Sequence, residues 1–231
     1  MLYIKINKLE IHLNKKELLN ISFDINNSTA LIGESGSGKS LTLKAILNLL
    51  PSSMILDKNI ESNFQLDYDS IGFIPQNPFT SLSSMTKIND QFFCSLEKKH
   101  EVLKLVDLDL SVLNKFPSQL SGGQIQRVVI AIALSRNIKL LLLDEPTTAL
   151  DEENKTNIIK LISDLKNRLK ILILFVTHDI SSIETLCENI IILKNGKIIE
   201  QGFTNELLNS PKNEYTKQLI NATFKNKGFR N

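Results

Sequence analysis

Residues Gly33 to Ser40 read GESGSGKS, and this octet constrains the chain more than any other stretch. It fits the pattern G-x-x-x-x-G-K-[ST] and lies between a β-branched apolar run, Ala30 to Ile32, and an amphipathic helical pattern, Leu41 to Leu50. A strand that turns through glycines into a helix aims backbone N–H groups at an anion, because the first amides of a helix have no intrahelical acceptor. Glu34, Ser35, Gly36, Ser37 and Gly38 make up the turn. Lys39 supplies charge suited to β- and γ-phosphates, and Ser40 offers a hydroxyl to Mg2+. A plain Gly/Ser turn is the competing reading of the octet alone, but the strand-to-helix context favours a nucleotide.

The rest of the chain agrees with such a turn. Short apolar runs at Ile21 to Ile25, Ala30 to Ile32, Ile71 to Ile74, Leu140 to Leu143, Ile171 to Val176 and Ile190 to Leu193 suit strands buried on both faces. Between two of them, Glu152 to Leu169 repeats Ile158, Ile162, Leu165 and Leu169 at helical spacing. Strand, helix, strand predicts an α/β fold with a mostly parallel sheet. Asn195-Gly196 between two apolar runs predicts an antiparallel hairpin, since a type I′ turn needs positive φ at both central residues. The stretch after Asn77 lacks β runs, carries a helical patch at Glu97 to Leu108 and reads as a helical insertion.

Composition narrows the partners. With 27 Lys and Arg against 25 Asp and Glu the net charge is +2, which gives no electrostatic ground for a nucleic-acid partner. Cys94 and Cys187 are the two cysteines; they form no CxxC or His/Cys cluster and are read as buried small hydrophobes in a reducing compartment. No apolar run approaches the ~20 residues that cross a bilayer, and the alternating N-terminus reads as a strand rather than a secretory leader.

Two further elements carry chemistry. Leu140 to Glu145 reads LLLLDE, and carboxylates at the C-terminal end of a parallel strand face the ligand crevice. Asp144 is suited to Mg2+ and Glu145 to polarising an attacking water; a solvated acidic turn is the bland alternative. Upstream, Ser121, Gly122, Gly123 and Gln124 precede an apolar helix, Ile125 to Arg136. That makes a second anion-binding N-terminus, with backbone amides and the Ser121 hydroxyl free to meet phosphate. Two such termini serve one nucleotide if each comes from a different copy of the domain.

LSGGQ with the glycine-rich octet upstream and LLLLDEPTTALD downstream resembles the nucleotide-binding domain of the ABC ATPase superfamily, in order over nearly the whole chain. The resemblance implies a P-loop NTPase core with a mostly parallel sheet, an antiparallel β part and an inserted α-helical subdomain. Its divisions here are core at 1–76 and 137–205, helical subdomain at 77–136 and helical tail at 206–231. It implies ATP and Mg2+, and two domains sandwiching two ATP molecules. Gln76 in FIPQN then senses Mg2+ and the membrane partner, Asp151 in ALD crosses the dimer interface, and His178 in VTHD contacts the γ-phosphate. Each has a plainer reading as well: a surface loop residue, a helix N-cap and a hydrogen-bonded strand-end histidine.

Two departures stand out. Counting back from ISFDI, the adenine-stacking position falls on His12, and the segment Asn26 to Thr29 lacks the family's usual glycine. PQNPFTSLSSMTKINDQF, GESGSGKSLTLKAILNLLP and SPKNEYTKQLINA resemble importers of peptides and nickel. The chain stops near where larger members add a cysteine-bearing extension, so no iron-sulfur site is expected and the compact nickel-type subunits are the nearer likeness. The importer resemblance implies two transmembrane permease subunits, a second ATP-binding subunit, a solute-binding protein and a place on the cytoplasmic face of the membrane. Phe92 and Phe93 belong to the docking groove or the core, with core favoured. A soluble ABC-type ATPase of DNA repair or translation, and a non-hydrolysing regulatory protein, are the alternatives.

Overall fold

A computed structural model of the chain describes residues 1–225. In chain order the elements are β1 (Ile4–Leu13), β2 (Lys16–Ile25), β3 (Ser28–Ile32), α1 (Lys39–Ile46), β4 (Met54–Ser62), β5 (Ile71–Ile74), α2 (Leu96–Leu105), α3 (Gly122–Leu134), β6 (Leu140–Asp144), α4 (Glu152–Leu169), β7 (Leu172–Val176), α5 (Ile180–Leu186), β8 (Asn189–Lys194), β9 (Lys197–Phe203), α6 (Thr204–Asn209) and α7 (Glu214–Lys225). The described residues fall into two compact units, residues 1–65 with 172–225, and residues 66–171.

The first unit holds two sheet regions. β2, β1 and β4 form an antiparallel sheet with β1 in the middle. Ile4 and Ile6 are buried, as are Leu9 and Ile11, yet a strict period of two would put these pairs on opposite faces. A register irregularity after Ile6 resolves the conflict by inserting one residue, so that both pairs share a face. β4 was not legible in the sequence, because its half-buried face mixes Met54, Leu56 and Ile60 with Lys58 and Ser62. Burial pushes the Lys58 ammonium below its ordinary pKa, and it donates to Asn48 Oδ1 at 2.5 Å.

In the other region β3 pairs in parallel with β7 on one side and β8 on the other, and β9 returns antiparallel to β8. All five residues of β3 and of β7 are buried, as expected of strands covered on both faces. The turn between β8 and β9 has φ of 49° at Asn195 and 75° at Gly196, the type I′ conformation the dipeptide predicts. α1 starts two residues earlier and ends four residues sooner than the apolar pattern suggested. Asn48 enters the left-handed region and the amides of Asn48 and Leu49 donate back to the carbonyls of Ala45 and Lys44, a helix stop that outweighs the following leucines.

The second unit contains the parallel pair β5 and β6, the helices α2, α3 and α4, and 3-10 turns at Pro78–Ser81, Ile88–Gln91, Leu110–Asn114 and Pro117–Gln119. The helical insertion expected over 77–136 therefore lies within a unit that also takes in β5, β6 and α4. α4 covers the predicted Glu152 to Leu169, with Glu152 and Glu153 in its first turn and Lys166 and Arg168 in its last, both favourable to the helix dipole. Phe92 is 5% exposed, but Phe93 is 91% exposed, which corrects its expected place in the core; adjacent residues of the extended Phe92–Phe93 segment point oppositely. Cys94 is half-exposed rather than buried, whereas Cys187 is buried as expected. Of the tail expected at 206–231, α6 and α7 are helical, and residues 226–231 lie outside the described residues. Among those described, no helix is long and apolar enough to cross a membrane.

Candidate functional site

The glycine-rich turn leaves the C-terminal end of β3. Glu34, Ser35 and Gly36 are exposed, while Ser37, Gly38 and Lys39 are buried. Gly33 meets the next element closely: a Cβ there would lie 2.1 Å from the Leu193 carbonyl oxygen, so only glycine lets the loop pass β8. Lys39 Nζ donates to the carbonyls of Gly33 at 2.9 Å and Glu34 at 3.0 Å. α1 begins with Gly38 as N-cap, has no side-chain cap and no acid in its first turn. An uncapped helix N-terminus beside a lysine is a donor set that fits a phosphate. The Ser37 hydroxyl is buried and lacks a protein partner.

In the second unit Glu145 follows β6 with φ of 46°, an uncommon conformation for a residue with a Cβ. Its Oε2 accepts from the Thr148 hydroxyl at 3.2 Å and from Gln76 Nε2 at 3.5 Å, the second at the outer limit of a hydrogen bond. Two residues the sequence singled out separately, Gln76 and Glu145, are thus brought side by side.

Ser121 and Gln124 close a capping box at the start of α3. Ser121 Oγ accepts from the Gln124 amide at 3.3 Å, and Gln124 Oε1 accepts from the Ser121 amide at 3.0 Å. The Ser121 oxygen thus accepts from the helix start, while its O–H proton is left to donate. Asp151 is the N-cap of α4, accepting from the Asn154 amide at 2.8 Å and from Asn154 Nδ2 at 2.8 Å. Those two bonds, the backbone one first, hold the Asp151 carboxyl below the usual carboxylate range. A Cβ on Gly123 would stand 2.7 Å from Asn154 Oδ1. Asn154, bonded to Asp151, therefore packs closely against Gly123 of the SGGQ segment, a placement sequence reasoning missed; its position three residues into an Asp-capped helix was the available signal.

His12 lies in β1 opposite Glu17 of β2 and Ile55 of β4. Its Nε2 is 2.5 Å from Glu10 Oε1, and Lys8 Nζ is 2.8 Å from the other Glu10 oxygen. The hydrogen bond from Lys8, and then that with His12, keep the Glu10 carboxyl below its ordinary value. Glu10, His12 and Glu17 offer ligand atoms within 4.8 Å of one another. Both carboxylates are already paired, Glu17 with Lys197 at 3.7 Å, so the group reads as an ion-pair network. His178 follows β7 as an exposed residue, and the next residue, Asp179, caps α5 through the amides of Ser181 and Ser182.

A family profile described as "ABC transporter" matches residues 18–148. The chain belongs to the ABC transporter family. As an ABC ATP-binding domain it is 34% identical over 230 residues to the oligopeptide transport ATP-binding protein OppD of Bacillus subtilis strain 168, a match taking in 87% of this chain and 64% of that protein. It is 36% identical over 231 residues to the dipeptide transport ATP-binding protein DppD of Caldanaerobacter subterraneus subsp. tengcongensis, covering 87% of this chain and 71% of the relative. The ABC domain thus spans about two thirds of the length of these relatives. Among solved structures it is similar to the dimeric post-hydrolysis state of the ATP-binding cassette MJ0796 bound to ADP and Pi, with a TM-score of 0.70, 28% identity, and coverage of 87% of this chain and 98% of that one. The mixed parallel and antiparallel strands of the ABC domain agree with that likeness.

Proposed function

We propose that this ABC domain hydrolyses ATP to ADP and phosphate and thereby energises a membrane importer of di- or oligopeptides, or of nickel. The observation that carries the hydrolytic part is the Glu145 carboxylate at the end of β6, held between Gln76 and Thr148. In this reading that carboxylate takes the proton of a water whose oxygen attacks the γ-phosphorus, while the bond to the β-phosphate oxygen breaks and ADP leaves. Lys39 and the amides at the start of α1 bind the phosphates, and His178 contacts the γ-phosphate. Mg2+, when bound, neutralises charge on the β- and γ-phosphates, and Ser40, Asp144 and Gln76 are the residues assigned to it.

The peptide reading is supported by the relatives, which are peptide transport ATP-binding proteins. In it, the SGGQ segment and Asp151 of one copy complete the site of a second ATP-binding subunit. Closure of that pair on ATP moves two permease subunits, which receive solute from a binding protein, and the domain works at the cytoplasmic face of the membrane. Uptake of labelled dipeptide and labelled nickel in a strain deleted for this chain tests the cargo. Loss of peptide uptake with nickel uptake intact is the expected result, and the reverse pattern assigns nickel instead. Wild-type uptake of both refutes the importer reading.

A further inference from the structure

The C-terminal helix reaches the nucleotide loop of its own unit through one side chain. Tyr215, in the first turn of α7, is buried, and its phenol oxygen accepts a hydrogen bond from the Glu34 amide at 3.2 Å. The amide belongs to the peptide group between Gly33 and Glu34. The carbonyl of that same peptide group, on Gly33, accepts from Lys39 Nζ at 2.9 Å. One planar unit is therefore held at both ends, by Tyr215 on its N–H and by Lys39 on its C=O, and a planar peptide cannot rotate one end without the other.

The phenol is itself fixed. Lys194 Nζ stands 4.1 Å from the centroid of the Tyr215 ring, a favourable cation-π distance. The residue before it, Leu193, supplies the carbonyl against which Gly33 packs. On the other side Glu200 of β9 accepts from the amides of Lys212 at 2.8 Å and Asn213 at 3.1 Å, anchoring the segment that delivers Tyr215. The last residues of β8, the middle of β9 and the start of α7 thus form one buttress behind the loop.

We propose that Tyr215 is a positioning residue for the phosphate-binding loop: through the Gly33–Glu34 peptide it fixes where Lys39 rests, and so presets the loop for the triphosphate. This rests on the ATP-binding reading of the loop. Its physical basis is preorganisation, since a loop already held in its binding shape does not lose that freedom when the ligand arrives. Tyr215 touches no reacting atom and acts only through the peptide.

Tyr215→Phe removes one oxygen and leaves the ring under Lys194. In the nucleotide-free chain, amide hydrogen exchange across residues 33–38 is expected to rise several-fold, with β1, β2 and α3 unchanged. The dissociation constant for a fluorescent ATP analogue is expected to weaken about three- to ten-fold, the range of one ordinary hydrogen bond, with the melting temperature within about 2 °C of wild type. Glu200→Ala, which releases the Lys212–Asn213 anchor, is expected to move both readouts in the same direction. Unchanged exchange in the loop, or wild-type affinity in Tyr215→Phe, overturns the proposal and leaves the ATP reading standing. A wild-type chain that fails to bind the analogue overturns both. Exchange that rises uniformly over the whole unit, with affinity unaltered, shows a packing role only and also overturns it.

Discussion

Gly196→Ala tests whether the β8–β9 turn is seated where the geometry puts it. A Cβ at Gly196 would lie 2.1 Å from the Leu18 carbonyl oxygen, 2.8 Å from its carbon and 3.0 Å from the Leu19 Cα. These are backbone atoms of β2, so no rotamer change relieves the overlap and the turn must lift away. Lifting breaks two hydrogen bonds, from the Asn20 amide to the Gly196 carbonyl at 2.8 Å and from the Gly196 amide to the Ser37 carbonyl at 2.9 Å. At about 0.5–1.5 kcal/mol net each, that is ~1–3 kcal/mol. Alanine at φ of 75° adds roughly 1–2 kcal/mol. The sum, about 2–5 kcal/mol, is a large fraction of a typical domain stability and corresponds to a fall in melting temperature on the order of 5–15 °C.

Gly36→Ala is the internal control, because Gly36 has φ of 79° but nothing within 4 Å of a Cβ. It carries the backbone cost alone, ~1–2 kcal/mol. Gly202 has neither positive φ nor a neighbour within 4 Å, so Gly202→Ala is expected to be neutral or stabilising by about 0.5 kcal/mol. Thermal melts and urea titrations of the three variants check the order 196, 36, 202. A Gly196→Ala melting temperature equal to that of Gly36→Ala refutes the clash argument. Because the Gly196 amide holds Ser37, Gly196→Ala is also expected to weaken ATP binding, measured by the same fluorescent analogue.

Other substitutions probe the chemistry. Glu145→Gln is expected to retain ATP binding and to slow phosphate release by roughly 10²- to 10⁴-fold, the usual contribution of a general base; a wild-type rate removes Glu145 from that role. His12→Ala is expected to weaken ATP affinity about five-fold, on the order of one aromatic contact, and an unchanged dissociation constant takes His12 out of the base-binding position. For Asp151 the folded-state pKa is depressed, so its stabilising contribution is complete above the ordinary carboxylate range and is lost as pH falls through the folded value. Asp151→Asn keeps one acceptor for the Asn154 amide and removes that pH dependence. Denaturation midpoints measured from pH 6 to pH 3, taken here as roughly bracketing carboxylate titration, are expected to fall less steeply in the variant, and parallel curves contradict the assignment.

The sequence by itself determined the parts whose signals are local. Gly33 to Ser40 specify a strand-to-helix turn through the conformations and amides that those residue types allow. Asp151 with Glu152 and Glu153 specifies the start of α4, and Asn195-Gly196 specifies the hairpin, because capping and positive φ involve only neighbours in the chain. What decided β4, the end of α1 and the exposure of Phe93 was different in kind. β4 has no apolar stripe of its own and exists because β1 offers it a ladder of hydrogen bonds. α1 stops at a backbone motif that the leucines after it conceal. The meetings within each unit, Gln76 with Glu145 and Tyr215 with Glu34, join residues that no periodicity relates. The last of these pairs lies 181 positions apart in the chain. Only packing brings such residues within hydrogen-bond distance, because the energy of each contact depends on separations that the whole fold sets.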